Sequence, residues 1–196
     1  MKKAIFLMLD EYADWEGAYL ASQINQSQDW EVKTASIQKK VISIGGFRTL
    51  VDYQLEQIPT DSDLLVLVGG NSWSTKNDNL KHLIELRLMN NQYVAAICGA
   101  VDYLAENGLL TNFKHTGNAK YLWRDFSQYQ NDHDFIEAQV VRDKNLVTAN
   151  GTAPLDYTQS VLKMVHFKDS DQIDKDIDLY RLGFYKYCSK YGNPFA

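Results

Sequence analysis

Apolar positions along the chain fall in short blocks, and the period within each block separates strands from helices. "KAIFLML" is an apolar run of strand length, while in "DWEGAYLASQIN" Trp15, Ala18, Tyr19, Ser22 and Gln23 recur at helical intervals. "WEVKTAS" alternates, with Trp30, Val32 and Thr34 on one face, and "KKVISIGGFRTLVDY" reads as a hairpin turning at Gly45-Gly46. "DLLVLVGG" and "YVAAI" are continuous apolar runs of the kind buried on both faces of a parallel sheet. "NDNLKHLIELRLMNNQ" and Gly99 through Asn107 predict helices, the second ending at a Gly108 C-cap. "FIEAQVVRDKNLVTA" predicts a hairpin with an Asp-Lys-Asn turn, and "APLDYTQSVLKMV" and "DQIDKDIDLYRLGFYKYCSKYG" read as helical.

Strands alternating with helices of about 10–15 residues imply βαβ units. The expected fold is α/β: a flavodoxin-like, doubly wound, mainly parallel sheet with helices on both faces and β-hairpins added. A chain of 196 residues fits one domain, 1–196, around a single core system. Ligands in this architecture bind beyond the carboxyl ends of the strands. Three such ends stand out: "DEYADWEG", "VGGNSW" and "ICGA".

Cys98 ends an apolar strand, stands between small residues (Ala95, Ala96, Gly99, Ala100) and turns at once into a helix. That is the pattern of a nucleophile elbow, and a helix N-terminus favours a thiolate. The same residue also reads as a small buried hydrophobe. Gly69 and Gly70 let the backbone approach a ligand, so the amides of Gly70, Asn71 and Gly99 are candidates for an oxyanion hole; a plain strand-ending turn is the alternative. Glu16, early in the first helix, either complements the helix dipole or reaches the mouth of the sheet, where its protonated form would donate to a neighbouring thiolate. Of the four histidines, His115 in "NFKHTGN" returns nearest to the top of the sheet, or is simply a hydrogen-bonded loop residue.

Composition narrows this only a little. A net charge of −5 and no concentrated basic face argue against nucleic acid. No segment reaches the roughly 20 apolar residues of a membrane span, so no membrane partner is expected. The run Ala4 to Leu9 is too short for a signal peptide and is followed by Asp10 and Glu11. Two cysteines 90 positions apart form no disulfide framework, which favours a reducing cytoplasm; Cys188 reads as helix packing. CxxC and HExxH spacings are absent, and neither metal nor other cofactor is expected.

Together, "DWEG" with Glu16, "LLVLVGG", "AAICGA" and "KHTGN" resemble the ThiJ/PfpI superfamily, related to the Parkinson-disease deglycase and to class I glutamine amidotransferase domains, and most closely its bacterial protease/amidase branch. The resemblance covers most of the chain. It implies the flavodoxin-like fold, an elbow nucleophile at Cys98, a glutamate at Glu16 hydrogen-bonded to that thiol, a histidine candidate at His115 and a homodimer. One departure is plain: protease-like members carry histidine directly after the cysteine, and Gly99 stands there instead.

The function expected is a cysteine-dependent hydrolase or amidase, or an aldehyde-detoxifying enzyme of the glyoxalase or deglycase kind. Its partner would be a small carbonyl or amide substrate, with Trp15, Trp73 and Tyr121 lining the mouth. A thiol redox sensor or stress-protective protein, and a non-catalytic binding or chaperone-like module, are the alternatives.

Overall fold

The computed structural model describes all 196 residues. β1 (Lys2–Leu7) leads into α1 (Asp14–Asn25) and β2 (Trp30–Ser36). The antiparallel pair β3 (Lys40–Ile42) and β4 (Arg48–Leu50) follows, then β5 (Tyr53–Gln54), β6 (Leu64–Leu67) and α2 (Asp78–Met89). β7 (Tyr93–Ile97) runs directly into α3 (Gly99–Glu106), and a long irregular connection leads to β8 (Val140–Asp143) and β9 (Leu146–Ala149). Three helices close the chain: α4 (Pro154–Met164), α5 (Ser170–Leu182) and α6 (Phe184–Tyr191). No helix is long and apolar enough to cross a membrane.

The main sheet has seven strands in the order β5-β2-β1-β6-β7-β9-β8, all parallel except the edge strand β8. Successive residues of its central strands feed opposite cores, which is why these strands read as unbroken apolar runs. Ile5, Leu7, Leu65, Leu67, Val94 and Ala96 pack with side chains of α2 and α3. Ala4, Phe6, Leu64, Val66, Ala95 and Ile97 pack with α1, α4 and α5. Each large aliphatic side chain so buried contributes roughly 1.5–3 kcal/mol. The flavodoxin-like α/β fold expected from the pattern is the one observed.

Two details differ from the sequence reading. Only β3–β4 is an added hairpin. β9 is an inner strand paired in parallel with β7, and its four residues are all buried, so the β8–β9 hairpin completes the sheet. The C-terminal helical segment is also two helices, because Gly183 adopts φ +76° between α5 and α6. The predicted stop at Gly108 is present, with φ +71° just past α3.

The β3–β4 hairpin is tied over the β1–α1 loop. Ile42 N–H donates to Asp10 Oδ1 at 2.7 Å, Gly45 N–H to Asp14 Oδ2 at 2.8 Å, and the hydroxyls of Tyr12 and Thr49 pair at 2.8 Å. The loops after β1, β6, β7 and β9 thus converge at one end of the sheet.

Candidate active site

Cys98 is the residue at which β7 becomes α3, and its backbone is forced into φ 58°, ψ −128°. Such a conformation costs a non-glycine residue on the order of 1–3 kcal/mol. It is held from both sides: Cys98 N–H donates to Ala149 O at 3.0 Å, and Cys98 O accepts from Val101 N–H at 2.9 Å. The turn leaves the thiol half-buried above the strand ends.

Beneath it lies Glu16, only 1% exposed. Glycines enclose the pair. A Cβ on Gly69 would come within 2.1 Å of Glu16 Oε2, and one on Gly151 would lie 2.8 Å from both Glu16 Oε1 and Cys98 Sγ. Oε1 and Sγ therefore share one small space under the Gly151 backbone. Burial raises the Glu16 carboxyl to about 7, opposed by the Cys98 thiol and then by the Gly69 N–H. Burial likewise raises the Cys98 thiol, to about 11, against the Asn118 amide and the Gly99 N–H, while the charge of Glu16 and its hydrogen bond push it further up. The two groups titrate as a pair: one negative charge forms near neutrality, and a second forms only in strong alkali.

Asn118 was not among the residues singled out from the sequence, although it ends the "KHTGN" motif. Its Nδ2 donates to Cys98 Sγ at 3.3 Å, and its Oδ1 accepts from Gly151 N–H at 2.9 Å. The amide is thereby locked, since the oxygen must face the backbone N–H and the nitrogen must face sulfur. The indole of Trp15, half-exposed, approaches Gly151 O from the other side at 3.4 Å. Gly151 is in effect a strap over the thiol, held at both ends of its peptide.

His115 is placed elsewhere. Its ring is fully buried, with Trp123, Tyr129 and Phe135 around it at centroid separations of 5.8, 5.5 and 5.9 Å. Nδ1–H donates to Phe113 O at 2.7 Å, and Nε2 is paired with the Tyr129 hydroxyl at 2.8 Å. Burial holds its pKa below the usual histidine value. With both nitrogens engaged inside an aromatic cluster, His115 is no general base for Cys98; it is a core residue.

The candidate oxyanion donors also sort themselves. Asn71 N–H is already committed to Glu11 O at 3.1 Å, which removes it from the set. Gly99 N–H serves the sulfur, and Gly70 N–H is given to no backbone carbonyl. The missing histidine after the cysteine has a steric cause: a Cβ at position 99 would lie 2.5 Å from Gly70 O. Trp73 is buried, donating to Val68 O at 2.8 Å and packing on Tyr103, so it does not line the mouth.

A cleft of about 1030 Å3 opens beside Asn118. The amides of Asn118, Gln139 and Asn150 line it with the aromatic rings of Tyr121 and Trp123 and the guanidinium of Arg124. Nowhere do three His, Cys, Asp or Glu side chains converge as a metal would require.

A family model described as the DJ-1/PfpI family matches residues 2–164. The chain belongs to the DJ-1/PfpI family. It is 55% identical over its full length, and that of its relative, to an uncharacterized protease, YdeA, of Bacillus subtilis strain 168. Among solved structures, a ThiJ/PfpI family protein of Bacillus anthracis superposes with a TM-score of 0.89 at 31% identity, covering 95% of this chain and 93% of that one. A DJ-1 superfamily protein of Agrobacterium tumefaciens superposes with a TM-score of 0.85 at 27% identity, covering 93% and 98%.

Proposed function

We propose that this DJ-1/PfpI family member is a cysteine-dependent hydrolase of amide bonds in small, peptide-like compounds. The observation that carries the reading is the elbow thiol of Cys98 facing a buried Glu16, with Asn118 Nδ2 at 3.3 Å. Once the pair has lost its first proton, the charge has two resting places. On the carboxylate, Oε2 makes no hydrogen bond of ordinary geometry, the Gly69 N–H being its one nearby donor. On sulfur, it is met by the Asn118 amide and the Gly99 N–H, with protonated Glu16 as a third donor. The carboxylate is the resting form above about pH 7, and transfer of the thiol proton to Glu16 gives the attacking thiolate, which these donors hold.

The thiolate attacks the amide carbon, forming a C–S bond and moving the carbonyl π pair onto oxygen. The Gly70 and Gly99 amides stabilise that oxyanion. Glu16 gives its proton to the amide nitrogen, the C–N bond breaks and the amine leaves a thioester on Cys98. Glu16, now a carboxylate, takes a proton from water, whose hydroxide adds to the thioester and releases the acid and the thiolate.

Asn118, which touches the Cys98 sulfur, also lines the cleft, and the cleft favours amides over 2-oxoaldehydes. At about 1030 Å3 it stands at the upper end of small-ligand pockets, and its walls offer amide groups suited to pairing with peptide units. The protease name of the Bacillus subtilis relative accords with this. The test is a panel of fluorogenic aminoacyl and dipeptidyl amides with mass spectrometry of the quenched enzyme. An acyl adduct on Cys98, with turnover lost in Cys98→Ala, is expected. Turnover that survives Cys98→Ala overturns the reading, as does a protein that gains only oxygen on Cys98 from peroxide and turns over no amide.

A further inference from the structure

Two buried polar atoms make no hydrogen bond of ordinary geometry: Glu16 Oε2, which has only the Gly69 N–H near it, and the hydroxyl of Tyr157. Tyr157 is 0% exposed and lies one turn into α4, its N–H donating to Ala153 O at 2.9 Å. The chain that forms the Gly151 strap becomes α4 at Pro154, and α4 packs against α1, the helix of Glu16. The two hydroxyl-bearing and carboxyl-bearing side chains therefore enter the same core from facing helices, at the same end. Burial and then the Glu16 charge both disfavour the ionised phenol, so Tyr157 keeps its proton and is a donor.

No other ionisable group around α1 competes for this place. Asp156 turns to Arg181 and Lys163 to Asp174, while Tyr180 lies edge-on to Tyr19. Glu31 pairs with Lys33, Tyr12 with Thr49, and Asp14 with Gly45. An unmatched hydroxyl in an apolar core is worse than a phenylalanine ring in the same space. The Glu16 carboxyl, whose charge is felt at the phenol, has the complementary deficit.

We propose that Tyr157 is a positioning residue for the active-site proton: its hydroxyl serves Glu16 Oε2 through one bound water, leaving the proton on Oε1, the oxygen that faces Cys98 Sγ. This deepens the reading of Cys98 and Glu16 given above and rests on it. Buried waters characteristically bridge such pairs of polar atoms. A donor at Oε2 fixes which oxygen carries the proton and, by favouring negative charge on the pair, makes its first ionisation easier.

The test follows the Glu16 carboxyl by its side-chain 13C resonance, assigned from its loss in Glu16→Gln, in the wild type and in Tyr157→Phe. The midpoint is expected to rise by about half a unit to one unit, and iodoacetamide alkylation of Cys98 at pH 7 to slow about three- to tenfold. An unmoved midpoint, with an equal or higher melting temperature, overturns the proposal: the hydroxyl would then be an ordinary packing atom. Site-specific 3-fluorotyrosine at 157 gives a second arm without loss of the ring, and its stronger donor is expected to lower the midpoint; no change there also overturns the proposal. A wild-type thiol no more reactive than free cysteine would sink the reading of Cys98 as nucleophile, whereas the carboxyl midpoint would still decide Tyr157.

Discussion

Asn118 holds the Cys98 sulfur with its side-chain nitrogen at 3.3 Å and itself lines the neighbouring cleft. A neutral amide in this place stabilises a thiolate without supplying a base. In the proposed mechanism proton movement is left to Glu16, and the consequences can be measured.

Asn118→Ala removes one donor from the sulfur and the brace on Gly151. The apparent pKa for Cys98 alkylation is expected to rise by about one unit, a roughly tenfold slower reaction at neutral pH. Asn118→Asp keeps an acceptor for Gly151 N–H but sets a carboxylate beside sulfur, and its rate should fall further. Iodoacetamide rates across pH 5–10 for the three proteins check both expectations; a faster Asn118→Asp would refute them.

Gly151→Ala places a methyl group 2.8 Å from both Sγ and Glu16 Oε1. The strap must lift or the pair must separate, so alkylation of Cys98 should be lost together with any amide turnover, and stability should fall by about 1–3 kcal/mol. Chemical denaturation and thiol labelling in parallel separate the two effects.

His115→Ala empties the centre of an aromatic cluster. A loss of about 2–4 kcal/mol is expected, with the pH profile of Cys98 alkylation unchanged. In the folded chain the His115 pKa lies below its ordinary value, so the unfolded chain binds the proton more readily. Stability from this residue is complete above the unfolded value of about 6.5 and is lost as pH falls through the lower folded value. The acid limb of the wild-type stability curve should flatten in His115→Phe. A shifted alkylation profile in either variant would return His115 to the active site.

Glu16 has the opposite sign. Its folded pKa, about 7, is above the ordinary value of 4.5, so the folded chain holds the proton more tightly. Stability from this group is complete below pH 4.5 and is lost as pH rises through 7. Glu16→Gln cannot ionise and should melt higher than the wild type at pH 8, by an amount on the order of 2–3 kcal/mol, while matching it near pH 4.5. The same variant should be inert toward amides. Calorimetry at the two pH values decides it, and equal melting at pH 8 would mean that Glu16 is not held protonated.

What the chain determined locally was legible without coordinates. Strand and helix follow from apolar period; Gly108 stops α3; Gly45-Gly46 turns a hairpin; and a cysteine wedged between a buried strand and a helix, flanked by alanine and glycine, forms the elbow. Glu16 lies close to it because one strand, one short loop and one turn of helix leave little freedom. The position of the hairpin ending in β9 was less legible, since antiparallel pairing with β8 is local but parallel pairing with β7 joins segments some fifty residues apart.

Only the tertiary structure decided which part of "KHTGN" meets the sulfur. The connection between α3 and β8 has no regular period to read. Its path is set by the packing of half-buried Tyr129 and Phe135 around buried Trp123, and that packing draws His115 inward as a partner for their rings and for the Tyr129 hydroxyl. Asn118, three residues later, is then the side chain that emerges beside Cys98. The Gly151 strap and the Tyr157 hydroxyl come from still further along the chain, and nothing in their local sequence distinguishes them from a turn glycine and a core tyrosine. Periodicity is a property of neighbours in sequence, so it specifies elements and their faces. The donors around a buried thiol are neighbours only in space, and close packing of the whole fold selects them.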